Sequence, residues 1–375
     1  MFGMRILFIL AITVFVFFFF HGNVADIQKK DSIPEKRLPV QMTPKELIQK
    51  LDARQQNMAS WKDLRASIQE SLRYVAKRPV GDLAVGDVTF GDLYYSLLLL
   101  EKLLPEIDKR PEVLLEHFEW VALHSADKAI LFTGYYHPVF QASRGPQPGS
   151  VPLYRTPKDT KQKALSRRAI AEGALAGQNL EIAWINDPFE AFLLGVQGSG
   201  CLEFEDGTRQ CLRYAGQNGR KYKSSRRILE ERGLLVAPDI FEQRRFFAEH
   251  PEHLPLLLEN PSYVFFSETD EPLAIGAMER PLRDWQAVAV DKRVIPLGSI
   301  VAIETTIPDK DKGYVPLCAL TLAQDTGGAI KERRIDIYCG SSKKAEFVAA
   351  KLDAQGSAWM LLAKDRPTKL SLKKQ

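Results

Sequence analysis

The sequence predicts a mainly β protein with flanking helices, organised as more than one domain. Its 375 residues exceed one typical domain and suggest two, each large enough to bury its own core. Before residue 125, apolar residues recur at helical spacing. From Ala129 onward, short β-type runs alternate with glycine, proline, asparagine and aspartate, a pattern typical of β-barrels and β-sandwiches.

The amino terminus predicts export. Arg5 precedes the run Ile6 to Phe20, in which every residue but Thr13 is apolar. A positive segment followed by about fifteen apolar residues is typical of a signal peptide and is short for a membrane-spanning helix. We expect residues 1–22 to be a signal peptide, or alternatively an uncleaved membrane anchor, and residues 23–42 to be a linker. No cysteine closely follows the run, so an N-terminal lipoprotein is not expected.

Helices are expected mainly in the first third of the chain. Thr43-Pro44-Lys45-Glu46 combines a capping box with proline at the first helical position, which predicts a helix starting at Thr43. Leu64, Ile68, Leu72 and Val75 form one apolar helix face, which indicates core packing. Further helices are expected at Phe90 to Leu104, Pro111 to His124, Arg226 to Arg232 and Lys343 to Leu352.

The charge balance does not indicate a nucleic-acid partner. Lys and Arg number 51 against 47 Asp and Glu, and without a basic patch this small excess is not a signature of nucleic-acid binding. The basic residues at 365–375 are expected to form a solvated tail.

Four cysteines in an exported chain permit disulfides. Cys201 and Cys211 flank Glu205-Asp206-Gly207, and a hairpin with glycine in the left-handed position would set them opposite one another. For Cys318 and Cys339, a bridge and a pair of buried free thiols are both open.

Three aspartates lie beside short predicted strands. Asp325 sits in the glycine-bearing turn Asp325-Thr326-Gly327-Gly328, and Asp336 interrupts the β-like stretch Arg334-Ile335-Asp336-Ile337-Tyr338. Strand alternation puts Asp336 on one face with Arg334 and Tyr338, and Ile335 and Ile337 in the core. Asp291 ends the apolar run Ala287-Val288-Ala289-Val290. Singly, each could be a turn-capping aspartate.

Four further segments mix turn residues with aromatic, hydroxyl or amide groups. Aromatic rings offer flat faces to sugars, and amides and hydroxyls can satisfy sugar hydroxyl and acetamido groups. Turn chemistry and core packing are the alternative for each segment. The candidate residues are Thr133, Gly134, Tyr135 and Tyr136, then Gln197, Gly198 and Ser199, then Asn218, and finally Tyr263.

Taken in order, these segments and aspartates resemble the lytic murein transglycosylase A family of bacterial peptidoglycan-cleaving enzymes. The resemblance runs from about Leu64 to Lys364. It implies a main domain built around a double-psi β-barrel, with a smaller β-rich domain inserted and a glycan groove between them. The implied parts are 43–138 (helical part of the main domain), 139–259 (inserted domain) and 260–364 (three-aspartate barrel part).

The family resemblance also implies roles for the candidate residues. Asp336 matches the catalytic acid, with Asp325 assisting it, and Asp291 and the nine residues of the four segments are expected to bind substrate. Asp336 would protonate the oxygen that links N-acetylmuramic acid to N-acetylglucosamine. As a base, it would then remove the proton from the muramoyl C6 hydroxyl, which closes onto C1. Its carboxyl must be neutral at working pH, so burial or the Asp325 charge should raise its pKa. No metal or organic cofactor is implied.

Two departures from the family pattern are His137 before the proline and Ser342 in place of a glycine. They leave open the alternative that the protein is a non-catalytic barrel that binds or remodels peptidoglycan. Asp325-Thr326-Gly327 also matches the aspartic protease signature, but such a site needs a second copy that the chain lacks.

The family resemblance also implies where the protein acts and what it contacts. We expect a periplasmic monomer that contacts peptidoglycan glycan strands, and cell-wall synthesis or division proteins are possible further partners. Contact with the membrane is expected only through an uncleaved amino terminus.

Overall fold

The computed structural model describes residues 42–366, apart from 124, 126, 127, 271–273, 328 and 329. The expected signal or anchor, most of the linker and nearly all of the basic tail lie outside the described residues. Within the described part, no helix has the length and apolar character needed to cross a membrane. The chain divides into two compact units, Phe140–Thr269, here called the insert unit, and the flanking segments, here called the barrel unit.

The barrel unit combines N-terminal helices with strands from both ends of the chain. Its helices are α1 Pro44–Ile48, α2 Arg65–Val75, α3 Phe90–Ile107, α4 Val113–His117 and α10 Lys343–Lys351, with 3₁₀ turns at Ala53–Gln56 and Trp61–Leu64. Its strands are β1 Leu83–Val85, β2 Val88–Thr89, β3 Phe118–Ala122, β4 Ile130–Tyr135, β11 Ala287–Ala289, β12 Ile300–Asp309, β13 Gly313–Asp325, β14 Arg334–Tyr338 and β15 Asp353–Ala363.

Six of these strands close into a barrel. They follow the order β12-β13-β11-β14-β4-β15, and β15 pairs back onto β12. Two of the pairs, β11 with β13 and β14 with β4, are parallel, and the others are antiparallel. Closure removes the free sheet edges that an open sheet would present. This is the double-psi barrel expected from the family resemblance, and β3 extends it alongside β15.

Alternating side chains of the strands fill two cores of the barrel unit. Ile335 and Ile337 are fully buried in one core with Phe132 and Val288, as the alternation in β14 predicts. The second core packs α2 and α3 against β12, β13 and β15. The predicted helix start is confirmed, since Thr43 and Glu46 form the capping box of α1.

One helix prediction was wrong in its second half. The helix expected over 111–124 ends at His117, and Phe118–Ala122 forms strand β3 instead. Met360 pairs with Val121 and Leu361 with Trp120, so hydrogen bonding to β15 overrides the local helical pattern. Phe118 is buried by the same arrangement.

The insert unit is built on one six-stranded sheet with helices packed around it. Its strands run in the order β10-β9-β8-β5-β7-β6. They are β5 Val139–Ser143, β6 Val151–Tyr154, β7 Glu181–Ile185, β8 Gly200–Phe204, β9 Arg209–Gln217 and β10 Val264–Thr269. The helices are α5 Thr160–Lys163, α6 Arg167–Ala171, α7 Pro188–Gln197, α8 Ser225–Glu231 and α9 Ile240–Glu249, with a 3₁₀ segment Pro251–Glu259.

The extent of the insert unit differs from the expected range 139–259. Strand β10 lies beyond residue 259, yet it pairs with β9 along its whole length and therefore belongs to the insert sheet. Of the helices in this unit, α8 was expected. The longer α7 and α9 were not, although α7 carries Asp187 as N-cap, Pro188 in its first turn and a left-handed Gly198 as C-cap.

The cysteine predictions have separate outcomes. Cys201 and Cys211 are register partners on β8 and β9 and form a disulfide, and Gly207 has a positive φ in the connecting loop. Cys318 and Cys339 are buried free thiols, so of the two alternatives for this pair the bridge is wrong.

Candidate active site

Strand pairing brings two of the three aspartates together. Ala289 in the short strand β11 is the register partner of Asp325 on one side and of Asp336 on the other. Two strand spacings separate the aspartate backbones, about 10 Å. The Asp325 charge is close enough to raise the pKa of Asp336. The barrel thus holds two carboxyls on neighbouring rigid strands.

Asp336 is a fully buried carboxyl with one satisfied oxygen. Its side chain is 0% exposed. The Thr133 hydroxyl donates to Oδ1 at 2.6 Å, and Arg334 Nε donates to that hydroxyl at 3.1 Å. Oδ2 is buried and has no hydrogen-bond partner among the described residues. An oxygen in this position is best accommodated when it carries a proton.

Burial raises the pKa of Asp336 from its ordinary value of 3.8 to about 7, and the Asp325 charge adds to the rise. The Thr133 hydrogen bond and the positive charge of Arg334 oppose it. A carboxyl that titrates near neutral pH can serve as a proton donor and, once ionised, as a base. Both expected causes of the rise therefore act, with burial as the larger one.

Asp325 is buried like Asp336 but is surrounded by donors. Tyr135 Oη donates to Oδ2 at 2.9 Å, and the backbone N–H groups of Ala277 and Thr326 each donate to Oδ1 at 2.8 Å. Burial raises its pKa to about 6, and the three hydrogen bonds hold it below that of Asp336. The two carboxyls are thereby separated into a more acidic and a less acidic group.

The Asp291 carboxylate is hydrogen-bonded to other residues of the barrel unit. Its carboxylate accepts hydrogen bonds from Arg293 Nε at 2.9 Å and Nη2 at 2.6 Å, and from the backbone N–H of Glu332 at 3.1 Å. The Arg293 side-chain hydrogen bond, together with those from backbone N–H groups, holds the pKa of Asp291 well below its usual range. These bonds join the turn after β11 to the segment before β14. That structural role is not the substrate contact expected from the sequence, which stays a prediction.

Gly134 and Tyr136 connect β4 to helix α10. A methyl group placed on Gly134 would lie 3.0 Å from Ala349 Cα and 3.1 Å from Cys339 Sγ, so the glycine permits close packing of the helix on the strand. Tyr136 Oη donates to Glu346 Oε1 at 3.1 Å. Both residues therefore have structural contacts in addition to their predicted place in substrate binding.

The two departures from the family pattern have local explanations. His137 is buried, and burial lowers its pKa to about 4, so the ring is neutral at neutral pH. Ser342 caps α10 by accepting a hydrogen bond from the Ala345 N–H at 3.1 Å. Neither feature disturbs the hydrogen bonds of Asp325 or Asp336 described above.

The remaining candidates lie in the insert unit. Gln197 ends α7, Gly198 is its left-handed C-cap, and Ser199 follows. The Gln197 and Ser199 side chains are half-buried, and the described part of the chain offers neither a side-chain hydrogen bond. They remain available to bind a ligand.

Asn218 and Tyr263 have clear structural roles. Asn218 Nδ2 donates to the carbonyls of Leu165 and Pro261, each at 2.8 Å, and its Oδ1 accepts from the Tyr263 N–H at 3.0 Å. The Tyr263 ring is buried beside Tyr154 and Phe265. Their predicted role in substrate binding is not tested by these contacts.

Two contributors to the site were not foreseen. Arg334 was placed on the face of Asp336, but its hydrogen bond to Thr133 could not be read from the sequence. Ala277 acts through its backbone N–H, which carries no residue-type signal. Its segment is positioned by the hydrogen bond between the Gly276 N–H and the Arg280 carbonyl, which closes a turn.

Comparison with protein families gives two matches. The family model described as the MltA specific insert domain matches residues 131–267, and that of the 3D domain matches residues 286–362. The first range contains the whole insert sheet except the last two residues of β10, and the second contains β11 to nearly the end of β15.

Curated relatives and solved structures agree with these matches. Membrane-bound lytic murein transglycosylase A of Vibrio cholerae is 32% identical over 249 residues, 64% of this chain and 67% of that protein. Its Escherichia coli counterpart is 36% identical over 241 residues, 62% and 65% of the two chains. The chain thus aligns with about two thirds of these relatives' length.

The structural neighbours cover more of the chain. The crystal structure of Escherichia coli MltA with bound chitohexaose aligns with a TM-score of 0.64 at 28% identity, over 79% of this chain and 89% of that one. Lytic transglycosylase LtgG of Burkholderia pseudomallei aligns with a TM-score of 0.60 at 29% identity, over 81% and 92%. By sequence and by fold, the chain belongs to the lytic murein transglycosylase A family.

Proposed function

We propose that this protein is a peptidoglycan lytic transglycosylase that uses Asp336 first as acid and then as base. It cleaves the β-1,4 bond between N-acetylmuramic acid and N-acetylglucosamine. The observation that carries the proposal is the state of Asp336: a buried carboxyl whose pKa is raised to about 7 and whose Oδ2 has no partner among the described residues. Such a group can hold a proton at neutral pH and deliver it.

In the first step, Asp336 Oδ2 gives its proton to the oxygen that links the two sugars. The bond between that oxygen and the muramoyl C1 breaks, and positive charge develops at C1 and the ring oxygen. The N-acetylglucosamine side leaves with a hydroxyl. The Asp325 carboxylate, which is fixed by Tyr135 and two backbone N–H groups, supplies a negative charge that stabilises this cation.

In the second step, the ionised Asp336 removes the proton from the muramoyl C6 hydroxyl. The O6 oxygen bonds to C1, and a 1,6-anhydro ring forms. The carboxyl is protonated again, and no water is consumed. An ordinary glycosidase needs a second carboxylate as nucleophile or base, whereas here the substrate supplies the nucleophile. One acid–base group is therefore enough.

Thr133 controls which oxygen of Asp336 carries the proton. Its hydroxyl donates to Oδ1 and accepts from Arg334, so its own hydrogen is directed at the carboxyl. The transferable proton then belongs on Oδ2. Because Asp336 is fully buried here, the reaction requires that substrate binding uncover Oδ2.

The test is mass spectrometry of insoluble peptidoglycan incubated with the full-length chain in detergent, beside the Asp336→Asn variant. We expect soluble fragments one water lighter at the muramoyl end than the products of hydrolysis, and none from the variant. Products without the water loss would contradict the mechanism. If the wild-type protein binds the wall and releases nothing, the chain is a non-catalytic binding module.

The setting of the reaction follows from its substrate. We propose that the protein acts in the periplasm after export through the segment at residues 1–22, cleaved or retained as an anchor. Action as a monomer and recruitment by cell-wall synthesis or division proteins remain predictions. Residues 291, 133–136, 197–199, 218 and 263 are proposed to position the glycan.

A further inference from the structure

Arg167 is a cation without an anion in the described part of the chain. Four arginines of the insert unit are half-buried. Three of them face a glutamate: Arg155 pairs with Glu268, Arg226 with Glu230 and Arg244 with Glu190. Arg167, the fourth, has no carboxylate partner among the described residues. A half-buried charge left unpaired is costly unless something else compensates it.

The fold fixes the Arg167 guanidinium but leaves its outer nitrogens free. Nε donates to the Ser262 carbonyl at 3.0 Å. Cζ lies 4.8 Å from the ring centroid of Phe192 and 5.5 Å from that of Tyr263. The described residues offer no acceptor to Nη1 or Nη2. Burial lowers the pKa of Arg167 to about 10, so the group stays cationic at neutral pH.

The aromatic contacts hold the planar group in one orientation, as preorganised binding requires. Paired Nη donors fit a carboxylate in bidentate fashion. The preferred ligand for this arrangement is therefore a carboxylate brought by another molecule.

Arg167 lies beside helix α7, whose C-terminal end carries predicted glycan contacts. Its Nη2 lies 3.3 Å from where a methyl group on Gly195 would be, and Cζ lies over Phe192. These two residues are three apart on α7 and share a face of that helix. The same helix ends at Gln197, and Ser199 follows its C-cap. As described above, neither side chain has a hydrogen-bond partner among the described residues. The guanidinium thus lies beside the end of α7 that is proposed to bind glycan.

We propose that Arg167 is a specificity residue that binds the carboxylates of peptidoglycan and so distinguishes it from glycans built of N-acetylglucosamine alone. The inference rests on the proposed function, since it names the part of that substrate which the insert unit recognises. N-acetylglucosamine has no carboxyl group. N-acetylmuramic acid has a lactyl carboxyl, which is free in denuded glycan, and in peptide-bearing glycan the stem peptide supplies its own carboxylates.

The experiment measures binding without turnover. Full-length protein with Asp336→Asn is titrated by calorimetry with three soluble glycans of equal sugar number: an N-acetylglucosamine oligomer, a denuded peptidoglycan oligomer and a peptide-bearing one. The same titrations are repeated with Arg167→Gln and Arg167→Lys added. Arg168→Gln is the matched control, because Arg168 is the adjacent residue and is exposed. Thermal unfolding of each variant reports whether it is folded.

We expect the carboxylate-bearing oligomers to bind about 10-fold to 100-fold more tightly than the N-acetylglucosamine oligomer, the range for a charge-assisted bidentate pair. Arg167→Gln should abolish this difference and leave affinity for the uncharged oligomer unchanged. Arg167→Lys should keep part of the difference, and Arg168→Gln should keep all of it. Preference for the denuded oligomer identifies the lactyl carboxylate, and preference for the peptide-bearing one identifies the stem peptide.

Two results would overturn the proposal. One is a wild-type binding site that does not prefer either carboxylate-bearing oligomer. The other is an Arg167→Gln variant that is folded and weakens binding to all three oligomers equally, since that is the effect of a structural residue. Because Asp336→Asn is present throughout, these outcomes are independent of whether the protein forms anhydro products.

Discussion

Replacing Asp336 with asparagine should change the stability of the barrel unit by an amount that depends on pH. Asparagine has the same shape as aspartate but never ionises. In the wild-type protein, the folded-state pKa of Asp336 is about 7 and its ordinary value is 3.8. A carboxyl with a raised folded-state pKa is protonated in both states below pH 4, and ionises first in the unfolded chain as the pH rises.

The sign and size of the effect follow from these two values. The stability that Asp336 contributes is complete below about pH 4 and is lost as the pH rises through about 7. Since one pKa unit corresponds to 1.36 kcal/mol, ionising the buried group at pH 8 costs the folded wild-type protein about 4 kcal/mol. Asp336→Asn avoids this cost. The variant also places an amide where Oδ2 lacks a partner, but that penalty does not change with pH.

The assay is denaturant unfolding of both proteins between pH 4 and 8, followed by tryptophan fluorescence. Four of the five tryptophans lie in the barrel unit, so the signal reports mainly on that unit. The stability of the variant relative to wild type should increase across this range. Asp311→Asn, at an exposed loop position in the same unit, is the matched control for the loss of a carboxyl. A difference for Asp336→Asn that is the same at every pH would refute a raised pKa.

Three further substitutions have definite expected outcomes. Thr133→Val removes the hydrogen bond that lowers the pKa of Asp336, so the alkaline limb of the pH–rate profile should move up by about one unit, whereas Thr133→Ser should leave it in place. Asp325→Asn removes the charge that raises the same pKa, so the residual activity should show that limb at lower pH; an upward shift would contradict the assignment. Gly134→Ala should lower the free energy of unfolding by about 1–3 kcal/mol through overpacking against α10. Gly81→Ala, with nothing within 4 Å of the added methyl, is the control in a denaturant titration.

The sequence alone predicted the structure where the local pattern and the tertiary fold favour the same conformation. The alternation of Ile335, Asp336 and Ile337 predicted which side chains fill the barrel core, because a strand has a period of two residues. The cysteines of β8 and β9 could be paired because the hairpin with Gly207 sets their register. The capping box at Thr43 located the start of α1 within one residue.

The sequence alone did not predict the structure where pairing with a strand distant in sequence decides the conformation. Strand β3 exists because β15, more than two hundred residues later, provides its hydrogen bonds. The end of the insert unit is likewise set by the pairing of β10 with β9. In both cases the local segment is compatible with more than one assignment, and tertiary hydrogen bonds choose between them.

Residue type also did not reveal the structural contacts that some candidate residues make. Asn218 and Asp291 have polar groups suited to sugars, yet both are engaged in bonds between segments of the fold. The unpaired state of Arg167 could not be predicted either, because the sequence does not show which arginines meet a glutamate. Only the three-dimensional structure shows which contacts each of these residues makes.

The closure of the barrel by strands from opposite ends of the chain has a consequence for biosynthesis. Strand β4 contributes Thr133 to the site, but both of its partners, β14 and β15, are made about two hundred residues later. All six strands of the insert sheet are complete once Thr269 has been synthesised. The insert unit can therefore fold first, and its compact fold shortens the effective loop that joins β4 to the remaining barrel strands. The barrel around Asp336 cannot close until β15 has been made, so a chain that stops before β15 would carry Asp336 without a closed barrel around it.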